Sequence, residues 1–224
     1  MTSTPTRIAI AASAVAVALI VAYFLLGGTG GSPNAAGSAA GIAADDHTMG
    51  SPTAPITIIE YAAPSCPVCA AFDAQVFPEL KKTYIDTGKV FYVFRVFPLR
   101  PADGAAEAMA HCLPKEAYFE FIGMLFRRQA EWDPEFGITD VHGALVQMGR
   151  VAGMGASEVD RCIDDKKVQD RVNQVAEQGQ AQYSLNATPT FIINGELQEA
   201  GAIPWDSLQQ KIEAELKKNA APEH

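Results

Sequence analysis

Clustered lysine and arginine are missing from this chain: 17 basic residues stand against 26 acidic ones, for a formal net charge of -9, and no Lys or Arg falls between Arg7 and Lys81. Phosphate recognition needs a basic face, so the composition argues against a nucleic-acid partner. There is no second CxxC and no HxxxH to complete the four ligands of a structural zinc site. No metal is therefore expected, and His111, beside Cys112, reads as a lone histidine. The glycines from Gly149 to Gly155 neither follow a predicted strand nor keep GxGxxG spacing, which leaves a dinucleotide site unsupported. No internal repeat is visible, and no cofactor is expected.

One long apolar run is present. Residues 8–26, IAIAASAVAVALIVAYFLL, carry no charge, and at about 1.5 Å per residue they match the hydrocarbon thickness of a bilayer. Arg7 precedes the run and Asp45 and Asp46 follow it, so the positive-inside rule puts the N-terminus in the cytoplasm and the remainder outside. The expectation is a signal-anchor over 1–26, with a cleaved signal peptide as the alternative. Residues 27–50, rich in Gly, Ala, Ser and Pro, then read as a flexible linker.

About 170 residues remain, enough for one domain with a real core. ITIIEYAA, Ile56 to Ala63, reads as a buried strand with one acid, Glu60, inside it. A helix follows, with Phe72, Val76, Phe77, Leu80 and Tyr84 at helical spacing. KVFYVFRVFPL, Lys89 to Leu99, is a second strand, and residues 102–185 are helical, with Ser157 heading SEVD as an N-cap signal. TFIIN, from Thr190, and ELQEAG, from Glu196, read as two further strands about Gly195. A helix from Pro204 closes the domain, 51–219, ahead of a tail at 220–224.

All four cysteines, Cys66, Cys69, Cys112 and Cys162, lie beyond the apolar run. In an exported domain disulfides persist, and an even count fits pairing, though four cysteines allow three connectivities. The stretch PSCPVCAAF places Cys66 and Cys69 one turn apart at the start of a helix, a separation a disulfide can bridge. The thiol nearer the N-terminus faces free backbone N–H groups and the positive end of the dipole, which stabilise a thiolate. Cys66 is thus the expected nucleophile and Cys69 the resolving partner. A metal clip and an inert staple are the competing readings.

An acid in the strand before CxxC, a helical insertion and the motif ATPTFIING together resemble the thioredoxin superfamily, in its DsbA-like branch of exported thiol:disulfide oxidoreductases. The resemblance implies an α/β, thioredoxin-like fold with an inserted helical domain, over 51–219. It implies a cis-proline at Pro189 facing the Cys66–Cys69 pair, and a substrate surface made of Pro67, Val68, Thr188 and Pro189. Glu60 takes the place of the buried acid that exchanges protons with the resolving cysteine, and Arg95 is a candidate partner for it across the sheet. Cys112 and Cys162 fall where exported relatives place a structural bridge, two unpaired buried thiols being the alternative.

Val68 departs from the pattern, because the strongly oxidising relatives carry His there. A loss of about two pKa units at Cys66 would correspond to about 2.7 kcal/mol, or about 60 mV toward a less oxidising potential. The expected function is assistance of disulfide formation in reduced or misoxidised exported proteins, with a quinone-linked membrane oxidase as partner. The alternatives are a reductase or isomerase fed by a transmembrane electron donor, and a tethered copper-binding module. The expected location is the inner membrane with the catalytic domain in the periplasm, or soluble in the periplasm if the segment is cleaved.

Overall fold

The computed structural model describes residues 41–198 and 200–220. Five strands form one sheet in the order β1-β3-β2-β4-β5: β1 is His47–Met49, β2 Ile56–Ala62, β3 Val90–Val96, β4 Thr190–Ile193 and β5 Glu196–Leu197. β2 and β3 run parallel and every other pair is antiparallel. β2 sits at the centre with all seven residues buried, because both faces of the sheet are covered.

The helices are α1 (Pro67–Gln75), α2 (Phe77–Leu80, running on into a wide turn over Lys81–Ile85), α3 (Pro101–Cys112), α4 (Tyr118–Arg127), α5 (Gln129–Trp132), α6 (Val141–Val151), α7 (Ala156–Ile163), α8 (Lys166–Tyr183) and α9 (Trp205–Ala220). The run expected as one helix through Tyr84 breaks between Gln75 and Phe77, where Pro78 has no N–H to continue the ladder. One face of the sheet packs into the main core with Phe72, Leu80, Tyr118, Leu125 and Leu208. The other face, with Ile59, Tyr61, Val93 and Ile192, is covered by α8 through Val175. At Gly179 of α8 an added Cβ would lie 2.9 Å from the Tyr61 ring, so the absence of a side chain lets the helix approach the sheet.

Several local expectations are revised. The linker over 27–50 is ordered where it is described: His47–Met49 pairs with β3 and blunts its outer edge. Asp46 is buried, 2.7 Å from Arg95 and 2.9 Å from Arg171, so two guanidinium groups compensate the carboxylate. Helix α7 starts from Gly155, whose N–H reaches the Glu158 carboxylate at 3.4 Å, and Ser157 lies inside the helix. The strand expected over ELQEAG stops after Glu196–Leu197. It follows a tight turn at Asn194–Gly195, both left-handed with φ of 49° and 83°, as a two-residue hairpin requires. Of the expected tail, Ala220 is the last residue of α9, and 221–224 lie outside the described residues.

The apolar run 8–26 also lies outside the described residues. Among the described residues no helix is long and apolar enough to cross a membrane. The expected inner-membrane placement is corrected accordingly, since no helix among the described residues supports it.

Candidate active site

The turn from β2 into α1 carries the two free cysteines. Cys66 is the N-cap of α1 and Pro67 its first residue, where a missing N–H costs nothing. A sulfur at the N-cap takes the place of the usual oxygen: the Cys69 N–H points at Cys66 Sγ, 3.4 Å away. The Cys66 thiol also reaches the Thr188 carbonyl at 3.4 Å, and the Thr188–Pro189 peptide bond is cis. Both sulfur-bearing residues are buried, while Pro67 and Val68 between them are exposed.

This arrangement drives the two thiols apart in acidity. Hydrogen bonding from the Cys69 thiol, then from the Thr188 side chain and the backbone N–H groups of Cys69 and Val68, lowers the Cys66 pKa to about 6 against the opposing effect of burial. Burial pushes the Cys69 thiol far up, and its hydrogen bond to Cys66 and the nearby Glu60 carboxylate push the same way. Cys66 is therefore the thiol that ionises near neutral pH.

Glu60 lies on the central strand, 2 % exposed, and accepts a 2.5 Å hydrogen bond from the Tyr92 hydroxyl. Burial raises its pKa to about 8; Tyr92 offsets part of this, and the charges of Asp73 and Cys66 add to it. Arg95 does not reach it. Side chains alternate along a strand: Glu60 is in register with Phe94, whereas Arg95 is in register with Tyr61 on the other face, where it binds Asp46 and the Tyr61 hydroxyl.

The protonated carboxyl has a measurable consequence. An unfolded chain ionises Glu60 near pH 4.3, whereas the fold keeps it protonated up to about pH 8. The folded state binds more protons in that window, so this contribution to stability is complete below the unfolded pKa and is lost as pH rises through the folded one. From pH 5 to 8 the loss is on the order of 3 kcal/mol. Glu60→Gln is expected to remove the slope, so that in urea unfolding the variant gains on the parent as pH rises. Parallel profiles would mean that the carboxylate is ionised in the fold.

Two supporting residues escaped the sequence reading. Asp103, fully buried in the first turn of α3, accepts from the Ser65 N–H (2.8 Å), the Ser65 hydroxyl (3.0 Å) and the Leu99 and Arg100 N–H groups (2.9 and 3.0 Å). Arg100 donates in turn to the Ser65 hydroxyl. The side-chain amide of Gln129, buried on α5, donates to the carbonyls of Pro64 (2.8 Å) and Cys66 (3.0 Å). Asp103 carried a signal, an acid two residues into a helix that opens with Pro101. Gln129, 63 positions from Cys66, carried none.

Comparison with known proteins points the same way. A family profile described as thioredoxin matches residues 43–214. A Rickettsia bellii protein named as a protein-disulfide oxidoreductase is 28 % identical over 67 % of this chain and 58 % of its own, and a Bacillus cereus protein named as disulfide bond formation protein D is 27 % identical over 77 % of this chain and 79 % of its own. The chain thus spans about three fifths of the length of the rickettsial relatives it matches. Among solved structures, alpha-DsbA1 of Wolbachia pipientis superposes with a TM-score of 0.73 at 28 % identity, over 80 % of this chain and 94 % of that one. The architecture is the thioredoxin-like one expected, with its helical insertion between β3 and β4.

Proposed function

Because this chain belongs to the thioredoxin family, in its DsbA-like branch, we propose that it is a thiol:disulfide oxidoreductase acting on cysteine-containing envelope proteins through Cys66 and Cys69. The observation that carries this reading is the placement of two cysteines one turn apart at the start of α1, with Cys66 capping the helix through the Cys69 N–H and touching the Thr188 carbonyl. The opposed acidity of the two thiols agrees with it.

In the oxidised state a substrate thiolate attacks Cys66 Sγ, the Cys66–Cys69 bond breaks, and Cys69 departs with the electron pair. Its high pKa means that it takes up a proton, which the neutral Glu60 carboxyl can supply. A second substrate thiolate then attacks the substrate sulfur of the mixed disulfide and expels Cys66. A thiol of low pKa leaves faster, so this step favours release of the oxidised substrate. Two electrons pass to the protein, and the substrate gains one disulfide. The Thr188–Pro189 segment lies beside Cys66, and its backbone, with the exposed Pro67 and Val68, forms the proposed substrate surface, while the side chains of Thr188 and Pro189 are buried.

Disulfide formation is the favoured direction because a stabilised thiolate stabilises the reduced protein and makes the pair an oxidant. A pKa of about 6 falls between the values typical of thioredoxin, about 7, and of the strongest oxidant of this branch, about 3.5. The poise is therefore oxidising but moderate, in keeping with Val68 in place of His. The Cys112–Cys162 bridge supports a setting in which disulfides persist. A quinone-linked membrane oxidase is the proposed partner that restores the Cys66–Cys69 bond.

Refolding of a reduced, unfolded multi-disulfide protein, with glutathione disulfide as terminal oxidant, tests the proposal. The full chain is expected to accelerate recovery of native disulfides at substoichiometric amounts, with a dithiol potential between about -120 and -200 mV. No acceleration would overturn the activity, and a potential well below about -200 mV would reverse the direction toward reduction or isomerisation.

A further inference from the structure

His111 is not isolated. It lies one turn beyond Glu107 on the same face of α3, and the first residue of β1, His47, reaches in from the sheet edge to meet both. We propose that His47, Glu107 and His111 bind a divalent transition cation of the zinc class, which fastens the N-terminal edge strand to the first helix of the insertion.

The spacing carries the argument. His47 Nε2 lies 3.2 Å from His111 Nε2 and 3.4 Å from its Nδ1, and His111 Nε2 lies 3.1 Å from Glu107 Oε1. Two ligands of a tetrahedral zinc ion, each about 2.0–2.1 Å from it, stand about 3.3 Å apart. The His47–His111 and His111–Glu107 separations are therefore close to the edge length of such a tetrahedron, and all three ligand atoms lie within 4.8 Å of one another. The hydrogen bonds they could make without an ion are poorer, because His47 Nε2 faces both nitrogens of one ring and can share a single proton with only one of them.

The surroundings hold these donors in place. The Tyr118 hydroxyl donates to Glu107 Oε2 at 2.7 Å, which leaves Oε1 for the ion, and the Tyr118 ring stacks on the His47 ring with centroids 3.3 Å apart. Ordered outer contacts of this kind are what orient metal ligands. Arg95 and Arg171 line the same small cavity but are paired to Asp46 and, for Arg171, also to Asp45, so two carboxylates compensate the two guanidinium charges. His111 is partly exposed, which gives an ion a way in and leaves room for water as fourth ligand. Two imidazoles and one carboxylate suit zinc, whereas calcium and magnesium require more oxygen ligands.

The test uses the untagged full chain, stripped with chelator, with Cys66 and Cys69 oxidised to a disulfide so that no thiolate competes. Calorimetric titration with zinc chloride is expected to show one ion per chain, and thermal unfolding a midpoint raised by several degrees. His47→Gln and His111→Gln should each weaken binding at least tenfold and abolish the shift, while magnesium and calcium chloride leave the midpoint unchanged. Cobalt(II) added to the parent reads the geometry without any substitution, and intense visible bands of a tetrahedral site are expected. No binding by the parent, binding that survives in both variants, or only the pale bands of six-coordinate cobalt would overturn the proposal.

Discussion

Cys66→Ser is expected to abolish disulfide exchange, and Cys69→Ser to leave the chain arrested as mixed disulfides with its substrates. The difference follows from position. Cys66 caps α1 and lies beside the Thr188 carbonyl with 5 % of its surface exposed, whereas Cys69 is fully buried behind it. A serine hydroxyl has no sulfur to exchange, so Cys66→Ser falls to the uncatalysed background. In Cys69→Ser the attacking thiolate survives without its resolving partner. That variant keeps a hydroxyl near the Cys66 sulfur, and alkylation of Cys66 should rise through about pH 6 and flatten above about pH 7, the profile of a lowered thiol pKa. Mass spectrometry of iodoacetamide-treated protein reads both results. Prior alkylation of Cys69 in the reduced parent would reverse the assignment of the two thiols.

The second large effect concerns stability. Cys112, the last residue of α3, is bonded to Cys162 on α7 across a sequence separation of 50. In the chain-entropy account a loop of that length stabilises the fold by about 4 kcal/mol, through restriction of the unfolded chain. Replacing both cysteines by serine is expected to lower the urea midpoint accordingly, and doing so in pairs avoids a stray thiol that could attack the Cys66–Cys69 bond. The potential of that pair should stay put, since Asp103, which holds Ser65, lies nine positions back along α3, about 13 Å at helical rise. A stability loss below about 1 kcal/mol would mean that the two helices are held by packing instead.

Features that declared themselves locally were legible from the residues. Cys66, Pro67 and Cys69 announce a capped helix start, β2 is a run of apolar residues around one acid, and Pro204 opens α9 with Lys217 and Lys218 in its last turn. What stayed hidden depended on distant chain. DDHTM has no alternation and a single apolar residue, Met49, and becomes a strand because β3 offers an edge and Arg95 and Arg171 hold Asp46. Arg95 looked like a partner for Glu60 until strand register put it on the opposite face. Gln129 is one polar residue among many until α5 sets it under two carbonyls.

The hydrogen bonds of Asp103 and Gln129 bear on how this domain could be shortened. Both residues belong to the helical insertion, and both terminate on the short loop that presents Cys66. A minimal protein that joined β3 to β4 directly would preserve every strand of the sheet, yet leave the Ser65 N–H and the carbonyls of Pro64 and Cys66 without those partners. The insertion is therefore no detachable module: excising it dismantles the scaffold beneath Cys66, and any miniaturised redesign must first supply a substitute carboxylate and a substitute amide.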